Sequence, residues 1–149
     1  DMTGQDEQLK VFIVEDEAVI AMDIGSMVLD AGHQVIGEAD TYASACSDPA
    51  LAEADVVLLD VQLADGSSGV DVYHSLKNKV GSIQVFLTAN MNMIPAAVAD
   101  KTAKMSKPIP RVSFEKALHF LADCLKRPPP ASPAPDELIV GSALAERIK

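Results

Sequence analysis

Short apolar runs alternate with longer segments of helical spacing through most of the chain. The runs are about five residues long and rich in Val, Ile, Leu or Phe: Lys10–Val14, Gln34–Gly37, Val56–Leu59, Ile83–Leu87 and the less apolar Thr102–Met105. Runs of this length and composition are typical of strands that are buried on both faces. The pattern therefore predicts five strands within residues 9–126.

The segments between these runs carry apolar residues at helical spacing. In the first of them, Ile20, Ile24 and Met27 share one face, and Ala31-Gly32 offers a stop. The last segment has a similar face, made of Phe114, Ala117, Leu118, Leu121 and Leu125. Three shorter candidates cover residues 42–54, which Pro49 weakens, 69–78 and 93–100.

Strands that alternate with helices in this way indicate a parallel sheet, because parallel strands need crossover connections. Five strands in residues 9–126 suit an α/β fold of the flavodoxin-like, doubly wound type. We therefore expect one domain with a five-stranded parallel sheet in the order 2-1-3-4-5 and helices on both faces.

Both ends of the chain depart from this alternation. Residues 1–8 are polar and acidic, with an Asp ahead of Met2, and we expect a disordered remnant of cloning rather than a signal peptide. Residues 127–135 hold five of the nine prolines and predict an extended linker.

Residues 136–149 are amphipathic again. One face of a short helix capped by Asp136 could hold Leu138, Ile139, Val140, Ala143, Leu144 and Ile148. Three interpretations stay open for this segment. It packs back on its own domain, it reaches a second copy as the arm of a homodimer, or it is a frayed tail.

Composition narrows the classes of partner. Twelve Lys and Arg against 22 Asp and Glu give a net charge of −10, which argues against direct nucleic-acid binding and against an anionic membrane surface. No apolar stretch is long enough to span a membrane. The two cysteines, Cys46 and Cys124, are expected to be reduced thiols in a cytoplasmic protein.

Polar side chains follow four of the five predicted strands. They are Glu15 and Asp16 after the first, Asp60 after the third, Thr88 after the fourth, where the apolar Ala89 is next, and Lys107 after the fifth. Since ligands of open parallel sheets bind beyond the carboxyl ends of the strands, we expect one site at this edge.

Clustered carboxylates at that edge need a cation. Like charges about 4 Å apart repel by roughly 4 kcal/mol at an effective dielectric near 20. An all-oxygen ligand set in an open loop site suits Mg²⁺. A carboxylate, Mg²⁺, a hydroxyl and an ammonium are the parts needed to accept a phosphoryl group on an aspartate, with Asp60 as the natural nucleophile.

Four motifs in this order, VFIVEDE, VVLLDVQL, FLTA and MSKPI, resemble the receiver domain of bacterial two-component response regulators. The resemblance covers residues 9–126 and implies that Asp60 takes phosphate from a sensor histidine kinase or a histidine phosphotransfer protein. It also implies a Mg²⁺ held by Asp16, Asp60 and the main-chain carbonyl of Gln62, with Glu15 acting through water. Thr88 and Lys107 complete the implied site, and the Lys107-Pro108 bond is expected to be cis.

The segment DVQLADGSSGVDV further resembles the receivers of alphaproteobacterial general-stress regulators. Those carry a sigma-factor-like domain for which 149 residues leave no room. We therefore expect a stand-alone response regulator that signals through protein contacts and is not a metabolic enzyme.

Several positions depart from the family pattern. Lys104 stands where most receivers carry an aromatic residue or His, Ala64 replaces a loop proline, and Gly69 comes about one residue late. The stretch from Thr88 to Lys107 is also two or three residues short. We expect the signal to leave by a different surface from the usual one. Gln62 and Asn90 flank the site and could position or exclude the attacking water. Ala89, Asn90 and Lys104 are expected to modulate the site.

Two other functions remain open at this point. A degenerate receiver would act as a binding module without phosphorylation. A Mg²⁺-dependent aspartyl phosphatase would need a second Asp two residues after the nucleophile, where this chain has Gln62.

Overall fold

A computed structural model describes residues 7–76 and 81–149. The strands are β1 (Lys10–Val14), β2 (Gln34–Ala39), β3 (Val56–Leu59), β4 (Ile83–Thr88), β5 (Ala103–Ser106) and β6 (Ile139–Val140). The helices are α1 (Ala18–Asp30), α2 (Tyr42–Ser47), α3 (Gly69–Ser75), α4 (Ala96–Ala99), α5 (Arg111–Lys126) and α6 (Ser142–Ile148). Two short 3₁₀ turns lie at Pro49–Glu53 and Met91–Met93.

The sheet runs in the order β2-β1-β3-β4-β5-β6. The first five strands are parallel, as predicted, and β6 adds an antiparallel sixth strand beside β5 that the sequence pattern did not predict. Val14 is level with Leu59, and Leu59 is level with Phe86. The residues that follow these strands therefore emerge at one edge of the sheet.

The core has two halves, one on each face of the sheet. The half beneath α1 and α5 includes Met27, Val28, Phe114, Leu118 and Leu121. The other half, beneath α2, α3 and α4, includes Ala45, Val72, Tyr73 and Val98. The inner strands β3 and β4 are buried at every position, because helices cover both of their faces.

Two of the shorter predicted helices are broken. In residues 42–54, Asp48 ends α2 and accepts a hydrogen bond from the amide of Ala50 at the start of the 3₁₀ turn. In residues 93–100, only Ala96–Ala99 is α-helical. Pro95 disfavours helical backbone at Ile94 and has no amide to bond. The end predicted for α3 at Asn78 lies outside the described residues.

The C-terminal segment is not one helix capped by Asp136. Asp136 lies in a turn, Ile139 and Val140 form β6 against the edge of β5, and the helix begins only at Ser142. The unpaired edge of β5 offers hydrogen-bonding groups to a short apolar segment, which explains why these residues form a strand. In this chain the segment packs on its own domain, with Leu144 almost fully buried.

The amino-terminal segment also reaches the domain. Gln8 accepts a hydrogen bond from the side chain of Gln34, and Glu7 forms an ion pair with Arg127 at 3.3 Å. The structure therefore places these two residues against the domain and not in a disordered tail; residues 1–6 lie outside the described part. Within the described part, no helix is long and apolar enough to cross a membrane.

Candidate functional site

Three carboxylates meet at the carboxyl edge of the sheet. Glu15 follows β1 and Asp60 follows β3, and the amide of Asp60 donates to the carbonyl of Val14 at 2.9 Å. Glu15, Asp16 and Asp60 each place one carboxylate oxygen within 4.8 Å of the others. The sheet register thus brings together side chains that are 45 residues apart in the chain (60 minus 15).

Lys107 binds two of these carboxylates. Its Nζ lies 2.5 Å from Oε1 of Glu15 and 2.9 Å from Oδ2 of Asp60. The Lys107-Pro108 peptide bond is cis. One ammonium stands against three carboxylates, so the cluster retains negative charge when all three are ionised.

Glu15 is the most buried member of the cluster, with a side chain only 2% exposed. Burial is the main reason that the pKa of Glu15 is raised to about 7, and the nearby charge of Asp60 adds to the rise. The ion pair with Lys107 opposes it. Burial by itself lowers the pKa of Lys107, but the bonds to Glu15 and Asp60 outweigh it and raise that pKa overall. The lysine is therefore charged at neutral pH, while Glu15 is poised between two protonation states.

Thr88 ends β4 at the same edge and is buried. Its main-chain carbonyl accepts a hydrogen bond from the amide of Lys107 at 3.1 Å, which makes the two residues neighbours. Its side-chain oxygen accepts from the amide of Asn90 at 3.0 Å. The hydroxyl proton is still available to an acceptor, because a hydroxyl both accepts and donates.

The four flanking residues differ in their positions. Ala89 and Asn90 are exposed beside Thr88. The side-chain amide of Gln62 lies 3.9 Å from the sulfur of Met93, while a ligand role for its main-chain carbonyl stays a prediction. Lys104 lies inside β5, level with Phe86 and Ile139, so it sits within the strand and not at the carboxyl edge.

Gly69 contributes to the site in a way that sequence reasoning missed. Its amide donates to the carbonyl oxygen of Asp60 at 2.9 Å, which folds the loop back onto the main chain of that residue. A Cβ atom at position 69 would lie 2.1 Å from the same oxygen. Only glycine fits here, and the usable signal was the second glycine of DGSSG at the first position of a predicted helix.

Asp60 is the member of the cluster best placed to react. Its side chain is 13% exposed, against 2% for Glu15, and its Oδ2 is held by Lys107. An accessible carboxylate beside a fixed ammonium can attack an electrophile whose developing negative charge that ammonium stabilises.

Known proteins resemble this chain in sequence and in fold. The chain matches the family model of the response regulator receiver domain over residues 11–119. It is 39% identical over 85 residues to the phyllosphere-induced regulator PhyR of Methylorubrum extorquens, a match that covers 56% of this chain and 32% of that protein. The chain thus spans about a third of the length of this relative.

Two solved structures share the fold. The receiver domain of PhyR from Erythrobacter litoralis has a TM-score of 0.64 at 27% identity, with 84% of this chain and 97% of that one covered. The anti-anti-sigma factor PhyR from Bartonella quintana has a TM-score of 0.63 at 33% identity, with 77% and 47% covered. The resemblance to receivers, with its likeness to stress regulators, is confirmed. The chain belongs to the response regulator receiver domain family of two-component signalling.

Proposed function

We propose that the protein is a phosphorylation switch whose acceptor is Asp60. The observation that carries this proposal is the accessible Asp60 carboxylate with Lys107 Nζ at 2.9 Å. An Oδ oxygen of Asp60 attacks the phosphorus of a phosphohistidine, the phosphorus–nitrogen bond breaks, and the imidazole leaves with the bonding pair and takes up a proton. The product is an acyl phosphate on Asp60.

We propose Mg²⁺ as the cofactor of this transfer. Three carboxylate oxygens within 4.8 Å of one another form a hard, all-oxygen donor set, and the single ammonium of Lys107 does not balance three carboxylates when all are ionised. Asp16, Asp60 and the main-chain carbonyl of Gln62 would hold the ion, with Glu15 acting through water. When bound, Mg²⁺ supplies charge neutralisation for the phosphoryl oxygens.

Side chains of the protein bind the phosphoryl oxygens and control the access of water. The ammonium of Lys107, which holds Oδ2 of Asp60, passes to a phosphoryl oxygen once that carboxylate is phosphorylated. The hydroxyl of Thr88 donates its proton to another phosphoryl oxygen. Gln62, Ala89 and Asn90 border the acceptor and control how water reaches the acyl phosphate.

We further propose that the phosphate donor is a sensor histidine kinase or a histidine phosphotransfer protein, and that output passes through protein contacts in the cytoplasm. The net charge of −10 disfavours direct binding to nucleic acid. Both cysteines are free thiols, which is typical of a reducing compartment. Action as a single-domain regulator is part of the same proposal.

Acetyl phosphate with Mg²⁺ tests this function, since it supplies a phosphoryl group without a kinase. We expect the intact mass to rise by one phosphoryl group, and we expect no rise in Asp60→Asn or with EDTA. Asp65→Asn is the matched control, because Asp65 is an exposed carboxylate in the loop after Asp60. Absence of an adduct in the unaltered chain, with acetyl phosphate and with a phosphohistidine donor alike, would contradict the proposal.

One observation favours a second candidate, a receiver that binds partners without phosphorylation. Helix α4 is reduced to Ala96–Ala99, and Lys104 occupies the strand position where an aromatic residue is usual. The same assay separates the two candidates, because a degenerate module gives no adduct. Such a module would also bind its partner equally well with and without the substitution Asp60→Asn.

A further inference from the structure

The C-terminal arm, defined here as Leu138–Lys149, is attached to the domain along the edge of β5. Val140 is level with Ala103 and Ile139 with Lys104 in the antiparallel pair. The amide of Gly141 continues this pairing by donating to the carbonyl of Thr102 at 2.9 Å. The arm therefore covers a strand edge that would otherwise be open.

The arm is also joined to the end of α4. The amides of Ala143 and Leu144 donate to the carbonyl of Asp100 at 2.9 and 3.2 Å, and the Ala143 amide also lies 3.2 Å from Oδ1 of Asp100. Gly141 packs so closely that a Cβ atom there would lie 2.1 Å from the carbonyl oxygen of Ala99. A small displacement of this end of α4 would break the hydrogen bonds and the close packing that hold the arm.

Local hydrogen bonds order the segment between Thr88 and α4. The amide of Asn90 donates to the hydroxyl oxygen of Thr88 at 3.0 Å, and the carbonyl of Asn90 accepts from the amide of Met93 at 3.0 Å. The next turn is closed by the amide of Ile94, which donates to the carbonyl of Met91 at 3.2 Å. Helix α4 begins two residues later, at Ala96.

From these contacts we propose that the C-terminal arm is the element that reports the state of Asp60. The inference rests on the proposed function, because it needs a phosphoryl group on Asp60. When the hydroxyl of Thr88 turns to a phosphoryl oxygen, its oxygen leaves the amide of Asn90, and the segment from Met91 to Asp100 shifts. The carbonyls of Ala99 and Asp100 then no longer fit beneath Gly141, and the arm detaches.

The elements of the arm are short enough for it to detach from the domain. Strand β6 has two residues and helix α6 has seven, so neither is stable without the domain beneath it. Three buried side chains attach the arm, those of Leu138, Leu144 and Ile148. Hydrogen bonds to Thr102 and Asp100, and one from the guanidinium of Arg147 to the carbonyl of Ser82 at 2.9 Å, add to this attachment. Detachment exposes the edge of β5, where Lys104 lies, and the apolar face of α6 to a partner.

Coupling of this kind is reciprocal. If phosphorylation weakens the attachment of the arm, then weakening the arm must favour phosphorylation by the same factor. Gly141→Ala tests this direction, because the added Cβ has no space beside α4. Ser142→Ala, at an exposed neighbouring position, is its matched control.

Hydrogen exchange of the full chain in Mg²⁺ with excess acetyl phosphate tests the inference, with intact mass recorded on the same samples. We expect the amides of Gly141, Ala143 and Leu144 to exchange at least about fivefold faster in the phosphorylated chain, the lower end of usual allosteric coupling. The amide of Asn90 should lose protection with them. We also expect Gly141→Ala, and not Ser142→Ala, to reach a higher equilibrium fraction of phosphorylated chain than the unaltered protein at the same concentrations of acetyl phosphate and acetate.

A phosphoryl adduct with unchanged exchange in the arm overturns the inference and leaves the proposed function standing. Loss of protection in the arm while Asn90 stays protected overturns the route through Thr88. If Gly141→Ala fails to fold, exchange in the unaltered chain decides alone. Absence of the adduct overturns both the inference and the proposed function, and the mass measurement tells this case from the first.

Discussion

Lys107 and Glu15 form an ion pair across 92 residues of sequence, and the same ammonium holds Asp60. Glu15 is almost fully buried and Asp60 is partly accessible, so the lysine joins an inner carboxylate to an outer one. The two carboxylates therefore differ in accessibility, although both bind the same ammonium.

Removal of the Lys107 charge is expected to weaken both stability and reactivity. Lys107→Met leaves the carboxylate cluster without its ammonium, so in EDTA the free energy of unfolding should fall by about 3 kcal/mol, the lower end of the range for breaking a buried ion pair, because the lysine side chain is 15% exposed. Mg²⁺ should restore part of this loss. Urea unfolding with and without Mg²⁺ measures the effect, and Lys101→Met at an exposed position is the control. Equal stability of the two variants would contradict the role of the ion pair.

The raised pKa of Glu15 predicts how stability depends on pH without metal. Between its ordinary pKa of 4.5 and about 7, the folded chain binds the proton of Glu15 more tightly than the unfolded chain does. This contribution to stability is present below pH 4.5 and is lost as the pH rises through 7.

Thermal unfolding in EDTA should therefore show that the stability of the unaltered chain falls as the pH rises through this range. Glu15→Gln should abolish this fall. Glu17→Gln, at an exposed position two residues further along the chain, should retain it. Saturating Mg²⁺ should remove the loss, because a bound cation favours the ionised form of Glu15. The same pH dependence in Glu15→Gln as in the unaltered chain would show that another group is responsible.

Gly69→Ala is expected to displace the main chain of Asp60, the proposed phosphate acceptor. The new Cβ would lie 2.1 Å from the carbonyl oxygen of Asp60, so the loop must move, at a cost of about 1–3 kcal/mol. Phosphorylation by acetyl phosphate should be slower as well. Gly25→Ala is the control: its Cβ would meet only Ile13 at 3.9 Å, and inside α1 it should stabilise by about 0.5–1 kcal/mol. Similar effects of the two substitutions on unfolding by urea would contradict this account.

Asp123 is expected to hold the proline-rich segment against α5. Its buried carboxylate accepts from the amide of Ala131 at 3.2 Å and from the guanidinium of Arg127 at 2.7 Å. The bond from Ala131, followed by that from Arg127, lowers the pKa of Asp123 against the opposing effect of burial. The stability that it provides is present above the ordinary pKa and is lost as the pH falls through the lowered value.

Asp123→Ala should accordingly reduce stability at pH 7 by about 1.5–3 kcal/mol, the usual contribution of hydrogen bonds to a charged group. It should also increase proteolysis of residues 127–135. Limited proteolysis followed by mass spectrometry locates the cleavage, and Asp136→Ala, at an exposed position, should match the unaltered chain. Unchanged cleavage in Asp123→Ala would show that the segment is held elsewhere.

The parts of the fold that a sequence pattern can predict are those set by burial. Strands β1 and β3 begin and end where the apolar runs do, because both faces of each are covered by helices. Since parallel strands carry their following residues to one edge, the grouping of Glu15, Asp60 and Lys107 also followed from the strand ends.

The parts that could not be predicted depend on contacts between distant segments. Ile139 and Val140 suit a helix face as well as a strand, and only the open edge of β5 decides for the strand. The need for glycine at 69 and 141 arises from carbonyl oxygens of Asp60 and Ala99, which sequence spacing does not place. The extent of the break before α4 likewise depends on how Pro95 sits in its loop.

Peptide mass spectrometry that locates the phosphoryl group is the decisive test of whether Asp60 is the acceptor. After incubation with Mg²⁺ and a phosphohistidine donor, we expect one labile phosphoryl group on the peptide that contains Asp60, and none in Asp60→Asn. A phosphoryl group on another residue, or an equal amount in Asp60→Asn, would contradict it.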